Sequence, residues 1–177
     1  MKSYIKPIAV MLCIILFCGG LLAVLSDLLF VDESERIQRA INSIYNDTPV
    51  QLVETVDVTS VDMTEHNETG VVKACYKLDN GDYLVLSTGK KGYSNGTVTT
   101  YVAITKDLEV RQVKQEDYSG QTLMSKLAGL YQKFNGKTAS NTLDEVIEVE
   151  TGATFSAKAA SNSVYVALQF VAKVIGG

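Results

Sequence analysis

The chain has little of what many catalytic or metal-binding domains need. Tryptophan is absent, histidine occurs once (His66), proline twice (Pro7 and Pro49) and cysteine three times. Cys13 and Cys18 lie in an apolar N-terminal stretch, so Cys75 is the one thiol in the rest of the chain. A single thiol forms no internal disulfide, which excludes a disulfide framework. One thiolate and one histidine do not close a zinc shell, so no metal site is expected. One histidine with no acid partner in view also leaves no serine-type triad, and no catalytic residue is assigned. His66 sits in the polar run Glu65-His66-Asn67-Glu68 and reads as a surface-loop histidine.

A large excess of charge of one sign is also missing. The 177 residues carry a net charge of −4 with acids and bases interspersed. No basic stripe exists to neutralise a run of phosphates, which argues against a nucleic-acid partner. Hydrophobic residues at 46% and charged residues at 20% give an ordinary globular balance. The acids Asp144, Glu145, Glu148 and Glu150 cluster in sequence, and a solvated face explains them more simply than acid–base work.

What is present begins with an uncharged run over 7–26, preceded by Lys2 and Lys6 and closed by Asp27. Twenty helical residues span roughly 30 Å, the thickness of a bilayer core. A cleaved signal peptide has a similar start, but the run is long and no small-x-small site follows it. A lipoprotein site at Cys18 meets Phe17 where a small residue is needed. The reading is therefore a membrane anchor over 1–30, with the domain over 31–177 outside the cytoplasm. The lysines before the run, against Asp32, Glu33 and Glu35 after it, give a single-pass protein of the cell membrane with a cytoplasmic N-terminus.

Beyond the anchor, Ile37, Ile41 and Ile44 recur at helical spacing over 32–45. Residues 50–61 read as extended. Val72, Ala74, Tyr76 and Leu78 alternate with Lys73, Cys75 and Lys77, which places Cys75 on the less apolar face. Asp79-Asn80-Gly81-Asp82 turns the chain into a return strand. A second hairpin runs from Val98 through Thr105-Lys106-Asp107 to Val113. A helix over 121–135 buries Leu123, Leu127, Leu130 and Phe134, and Gly136 stops it. Val146, Ile147 and Val149 form a short extended piece. A final helix puts Ala160, Val164, Leu168, Val171 and Ile175 on one face. The fold class is α+β: one transmembrane helix, then an antiparallel sheet with packed helices.

The segment Glu148-Val149-Glu150-Thr151-Gly152-Ala153-Thr154-Phe155-Ser156 opens that final helix. Its small residues let an anionic group approach the backbone, and the first N–H groups of the helix favour a phosphate. Thr154 supplies a hydroxyl there, Ser156 a further donor and Lys158 a positive charge. Taken by itself, the segment equally suits a plain helix cap.

The same segment resembles the flavinylation motif of the FMN-binding domain family: an acid, two variable residues, Ser or Thr, Gly, Ala, then Ser or Thr. Glu148 stands where Asp is usual. Gly92-Tyr93-Ser94-Asn95-Gly96 is similar to the family's central GY-x-G segment, and Tyr131-Gln132-Lys133-Phe134-Asn135-Gly136-Lys137 to its QF-x-GK stretch. Tyr118-Ser119-Gly120-Gln121-Thr122-Leu123 stands where Glu-Thr-Pro-Gly-Leu-Gly is common. The resemblance covers nearly the whole chain and is strongest to the G subunit of the Rnf ion-translocating electron-transport complex, with the C subunit of the sodium-pumping NADH:quinone reductase also related.

That resemblance implies FMN held as a phosphoester on Thr154, installed by a flavin transferase. Thr151, Gly152, Ala153, Ser156 and Lys158 would lie around it, with Gln121 and Thr122 as polar contacts. It further implies an electron-carrier subunit of a ferredoxin:NAD translocase rather than a self-contained enzyme, partnered by integral membrane subunits. Two alternatives stay open: a free-standing cell-surface flavoprotein, and a membrane-anchored binding or structural domain without flavin.

Overall fold

Two runs rich in β-branched and aromatic residues, each broken by a polar turn, build the centre of the molecule. In a computed structural model, which describes residues 5–29, 32–46, 48–118, 120–121, 123–127, 129–140 and 153–176, they form an antiparallel sheet. Its strands are β1 (Leu52–Val56), β2 (Gly70–Leu78), β3 (Tyr83–Gly89), β4 (Val98–Ile104) and β5 (Val110–Asp117), in the order β1-β2-β3-β4-β5. Neighbours in sequence are neighbours in space, which short connections favour. The helices are α1 (Ile5–Leu29), α2 (Glu33–Tyr45) and α3 (Thr154–Gly176).

The chain separates into two units, Met1–Gln38 and Arg39–Gly177. In the first, α1 exposes Ile8, Met11, Ile15, Phe17 and Leu22. Lys6 and Pro7 lie inside one end of α1 and Asp27 inside the other, so its apolar portion is shorter than the helix. Among the described residues, no helix is long and apolar enough to cross a membrane. This overturns the transmembrane part of the expected fold class, and with it the single-pass location at the cell membrane and the translocase reading. The α+β class with an antiparallel sheet stands.

In the second unit α3 lies against β2, β3 and β4. Its buried face is built of small residues, Ser156, Ala157, Ala160, Ser163, Val164 and Ala167, which bring the helix backbone close to the sheet. Gly89 marks the closest approach: a Cβ there would collide with the Ala159 carbonyl and the Ser163 amide. Hydroxyl groups of β3 and β4 pair with α3 at this contact, while the buried Ser161 hydroxyl of α3 has no partner among the described residues. Ser87 donates to the Ser163 carbonyl at 2.8 Å, and Thr100 Oγ1 lies 2.9 Å from Ser163 Oγ. The α3-side core contains Val85, Val98, Val102, Val113, Phe134, Val164, Leu168 and Phe170. Every residue of β4 is buried, so the middle of the sheet is covered on both faces.

Several expectations over single elements change. Residues 121–135 are not one helix but two short 3₁₀ turns, Met124–Leu127 and Tyr131–Phe134. Leu127, Leu130 and Phe134 are nevertheless buried, so the apolar stripe is real while the helix is not. Cys75 lies opposite Tyr76 and Leu78, as the alternation has it, but its face is not polar: α3 covers it, and Cys75 is fully buried in the α3-side core. Ile175 is exposed at the end of α3. His66 sits in the turn Thr64–His66 with its ring edge-on to Tyr165, 5.5 Å between centroids, and only 14% of its side chain is exposed. Beside it Lys173 donates to Glu65 Oε1 at 2.6 Å and to the Asp62 carbonyl at 2.9 Å. The extended piece around 146–149 lies outside the described residues.

Candidate functional site

Thr154 is the first residue of α3 and is exposed. Ala153 before it is buried, and its carbonyl accepts the Ala157 N–H at 2.9 Å, the bond that opens the helix. The N–H groups ahead of Ala157 have no partner within the helix, and the helix dipole adds partial positive charge there. Lys158 is exposed one turn on. Positions i and i+4 share a helix face, so the ammonium of Lys158 and the hydroxyl of Thr154 lie on one side. A phosphate on Thr154 would therefore meet N–H groups that have no partner inside the helix, with the Lys158 cation on the same side.

Three segments distant in sequence converge beside this helix start, and Gln121 joins them. Its Oε1 accepts from Ser156 Oγ at 2.6 Å and from the Tyr93 N–H at 3.1 Å. Its Nε2 donates to the Tyr93 carbonyl at 3.4 Å, and its own N–H reaches the Tyr118 carbonyl at 3.0 Å. Gln121 is buried, so its amide is satisfied by protein groups and locks the loop 118–121 to both the 92–96 turn and α3. The Ser156 hydroxyl hydrogen is thus given to Gln121, away from the helix entrance.

The 92–96 turn is tight for a stated reason. Ser94 (φ 51°, ψ 40°) and Asn95 (φ 58°) are both left-handed, as a type I′ turn requires, and the Gly96 N–H closes on the Tyr93 carbonyl at 2.9 Å. A Cβ on Gly92 would stand 2.5 Å from the Gly96 carbonyl and 2.7 Å from Gln121 Nε2. Only glycine leaves room for the Gln121 amide to cross that turn.

Of the residues singled out from sequence, Thr154, Ala153, Ser156, Lys158 and Gln121 gather at the N-terminal end of α3. Thr151, Gly152 and Thr122 lie outside the described residues, as do Glu148 and Glu150. Among the described residues no group of three or more His, Cys, Asp or Glu side chains is placed to hold a metal ion.

A second cluster, at the other end of the sheet, carries no signal in the sequence. Asp82 is 3% exposed and accepts from Tyr45 Oη at 2.7 Å, Arg111 Nε at 2.7 Å and Asn80 Nδ2 at 3.1 Å. The Arg111 guanidinium stands 5.5 Å from the centroid of the Tyr45 ring. Burial and the neighbouring carboxylate push the Tyr45 phenol well above its ordinary range, and the bond to Asp82 raises Arg111 further. In sequence Asp82 reads as a turn residue and Arg111 as a strand residue; only the fold joins them.

No family model matches the chain, and no curated protein matches it. With no such relative and no membrane-spanning helix among the described residues, the reading as a membrane-anchored subunit of an Rnf-type ferredoxin:NAD oxidoreductase is withdrawn. Its two alternatives, a cell-surface flavoprotein of an electron-transfer chain and a membrane-anchored domain without flavin, rested on the same anchor and fall with it.

Proposed function

We propose that Thr154 is an attachment site for FMN, joined through a phosphoester and installed by a flavin transferase. The observation that carries the reading is an exposed hydroxyl on the first residue of a 23-residue helix, with Lys158 one turn on and the buried Ala153 just before it. The resemblance of Thr151-Gly152-Ala153-Thr154 to a flavinylation motif supplies the identity of the group. FMN supplies the redox chemistry when attached. The chain's own contribution is attachment, charge compensation by Lys158 and the helix dipole, and a rigid helix start held by Gln121.

Co-expression with a flavin transferase, followed by a denaturing gel viewed under ultraviolet light, tests this. The wild-type band fluoresces, Thr154→Ser stays bright, and Thr154→Ala is dark. A dark wild-type band beside a bright flavinylated control in the same cells overturns the reading.

A further inference from the structure

The Asp82 cluster forms one wall of an open cleft of about 630 Å³, at the opposite end of the sheet from Thr154. Tyr83 pairs with Ile104 at this end, whereas Gly89 pairs with Val98 at the other, and seven strand residues separate the two ends by about 20 Å. The cleft therefore stands apart from the helix start and does not depend on what Thr154 carries. Its volume falls in the range of small-molecule sites.

Arg111 is fixed before any ligand arrives. Asp82 takes its Nε, and the Tyr45 ring lies beside its guanidinium. Asp82 is itself held by Tyr45 and Asn80, so the geometry is set by three side chains. With Nε committed, the two terminal amino groups form the edge of the fork that matches a carboxylate. The side chain of Arg111 is 45% exposed, so this edge is not sealed. Asp79 borders the same cleft, its side chain exposed and its backbone N–H held by the Gln51 carbonyl at 3.0 Å. Asn46 and Gln112 add amide donors and acceptors, and Pro49 an apolar surface.

The charges select the ligand. Among the described residues Asp82 already neutralises Arg111 and Asp79 leaves the lining one charge negative, so a phosphate dianion is repelled as a whole. A simple cation meets the guanidinium, and a simple carboxylate meets Asp79. A ligand that carries both signs offers a partner to each group. We propose that this cleft binds a small zwitterion of the amino-acid class, its carboxylate on Arg111 and its ammonium on Asp79.

The test is titration of the full chain with L-alanine, acetate, ethylamine and inorganic phosphate, following the backbone amide resonances of Asn46, Asn80 and Gln112 by NMR. Alanine shifts them saturably, and the other three bind at least about tenfold more weakly, a difference of about 1.4 kcal/mol. Arg111→Lys weakens alanine by at least about tenfold, since a point charge replaces the fork. Asp79→Asn leaves the Asp82 cluster whole, weakens alanine and not acetate, and keeps the test decisive if Arg111→Lys unfolds. Saturable binding of phosphate or acetate as tight as alanine overturns the zwitterion assignment. The absence of any saturable shift overturns the site.

Discussion

Cys75 shows how far burial alone can change a side chain. It is 0% exposed in the core beneath α3, and burial raises its thiol from the ordinary 9.0 to about 12. At pH 8 the nucleophilic thiolate is then present at only about one part in ten thousand. Cys13 and Cys18 are exposed. Ellman's reagent is expected to titrate two thiols in the native chain and a third only after unfolding. The sign of the pH effect follows from the same shift. Below pH 9 the thiol is neutral in both states and its burial contributes fully. Between about pH 9 and about 12 the unfolded chain releases the proton and the folded one does not. Stability should therefore fall by about 1.4 kcal/mol per pH unit across that window. Urea unfolding at pH 8 and pH 10.5 measures it; Cys75→Ala should make the alkaline fall shallower, leaving the part that the buried Tyr45 and Tyr131 phenols contribute with the same sign, and an equally steep fall in that variant would show that Cys75 is not responsible. The alternation set Cys75 opposite Tyr76 and Leu78, where it is; the local pattern marks neither the helix that covers this face nor the register shift that brings Val72 to the Cys75 side.

Among the elements, α2, both hairpins and α3 were legible because each rests on a period and a stop that local residues supply. The segment 121–135 was not. Its leucines and Phe134 keep a helix-like spacing, but Gly129 interrupts it, and the Leu130 N–H bonds to the Leu127 carbonyl three residues back, not four. Short 3₁₀ turns bury the same side chains, so hydrophobic spacing cannot tell the two apart. Contact between elements was equally hidden. Nothing in the sequence around Gly89 says that the Ala159 carbonyl and Ser163 amide fill the place of its side chain. The fold makes a prediction there. Gly89→Ala must push α3 off β3, strain the Ser87–Ser163 bond and cost about 1–3 kcal/mol, the range for overpacking a tight contact. A urea midpoint equal to that of the wild type would show that α3 is not seated on Gly89 as described.

Across the whole molecule the sheet carries a polar latch at each end. At one end Gln121 ties the 118–121 loop, the 92–96 turn and α3 together; at the other Asp82 ties Tyr45, Arg111 and Asn80. The sequence offered half of this. Resemblance pointed to Gln121 and Thr154, yet no motif marks Asp82 or Arg111, since four residues spread over 45–111 meet only once β4 has paired with both β3 and β5. Between the latches the middle of the sheet is largely apolar, with Val85, Val102 and Ala103 buried, and the hydroxyls there (Ser87, Thr88, Thr99, Thr100) bond to each other or to Ser163. Sites about 20 Å apart with no shared partner contribute independently. Gln121→Ala leaves the Ser156 hydroxyl and the Tyr93 N–H without their acceptor, and Asp82→Asn removes a charge from three donors; each should cost about 1–3 kcal/mol. The double variant should lose the sum of the two losses to within about 0.5 kcal/mol. A coupling larger than that, measured by denaturant unfolding of the four chains, would mean that the sheet transmits strain from the cleft of Arg111 to the helix start at Thr154, so that occupancy of one end is felt at the other.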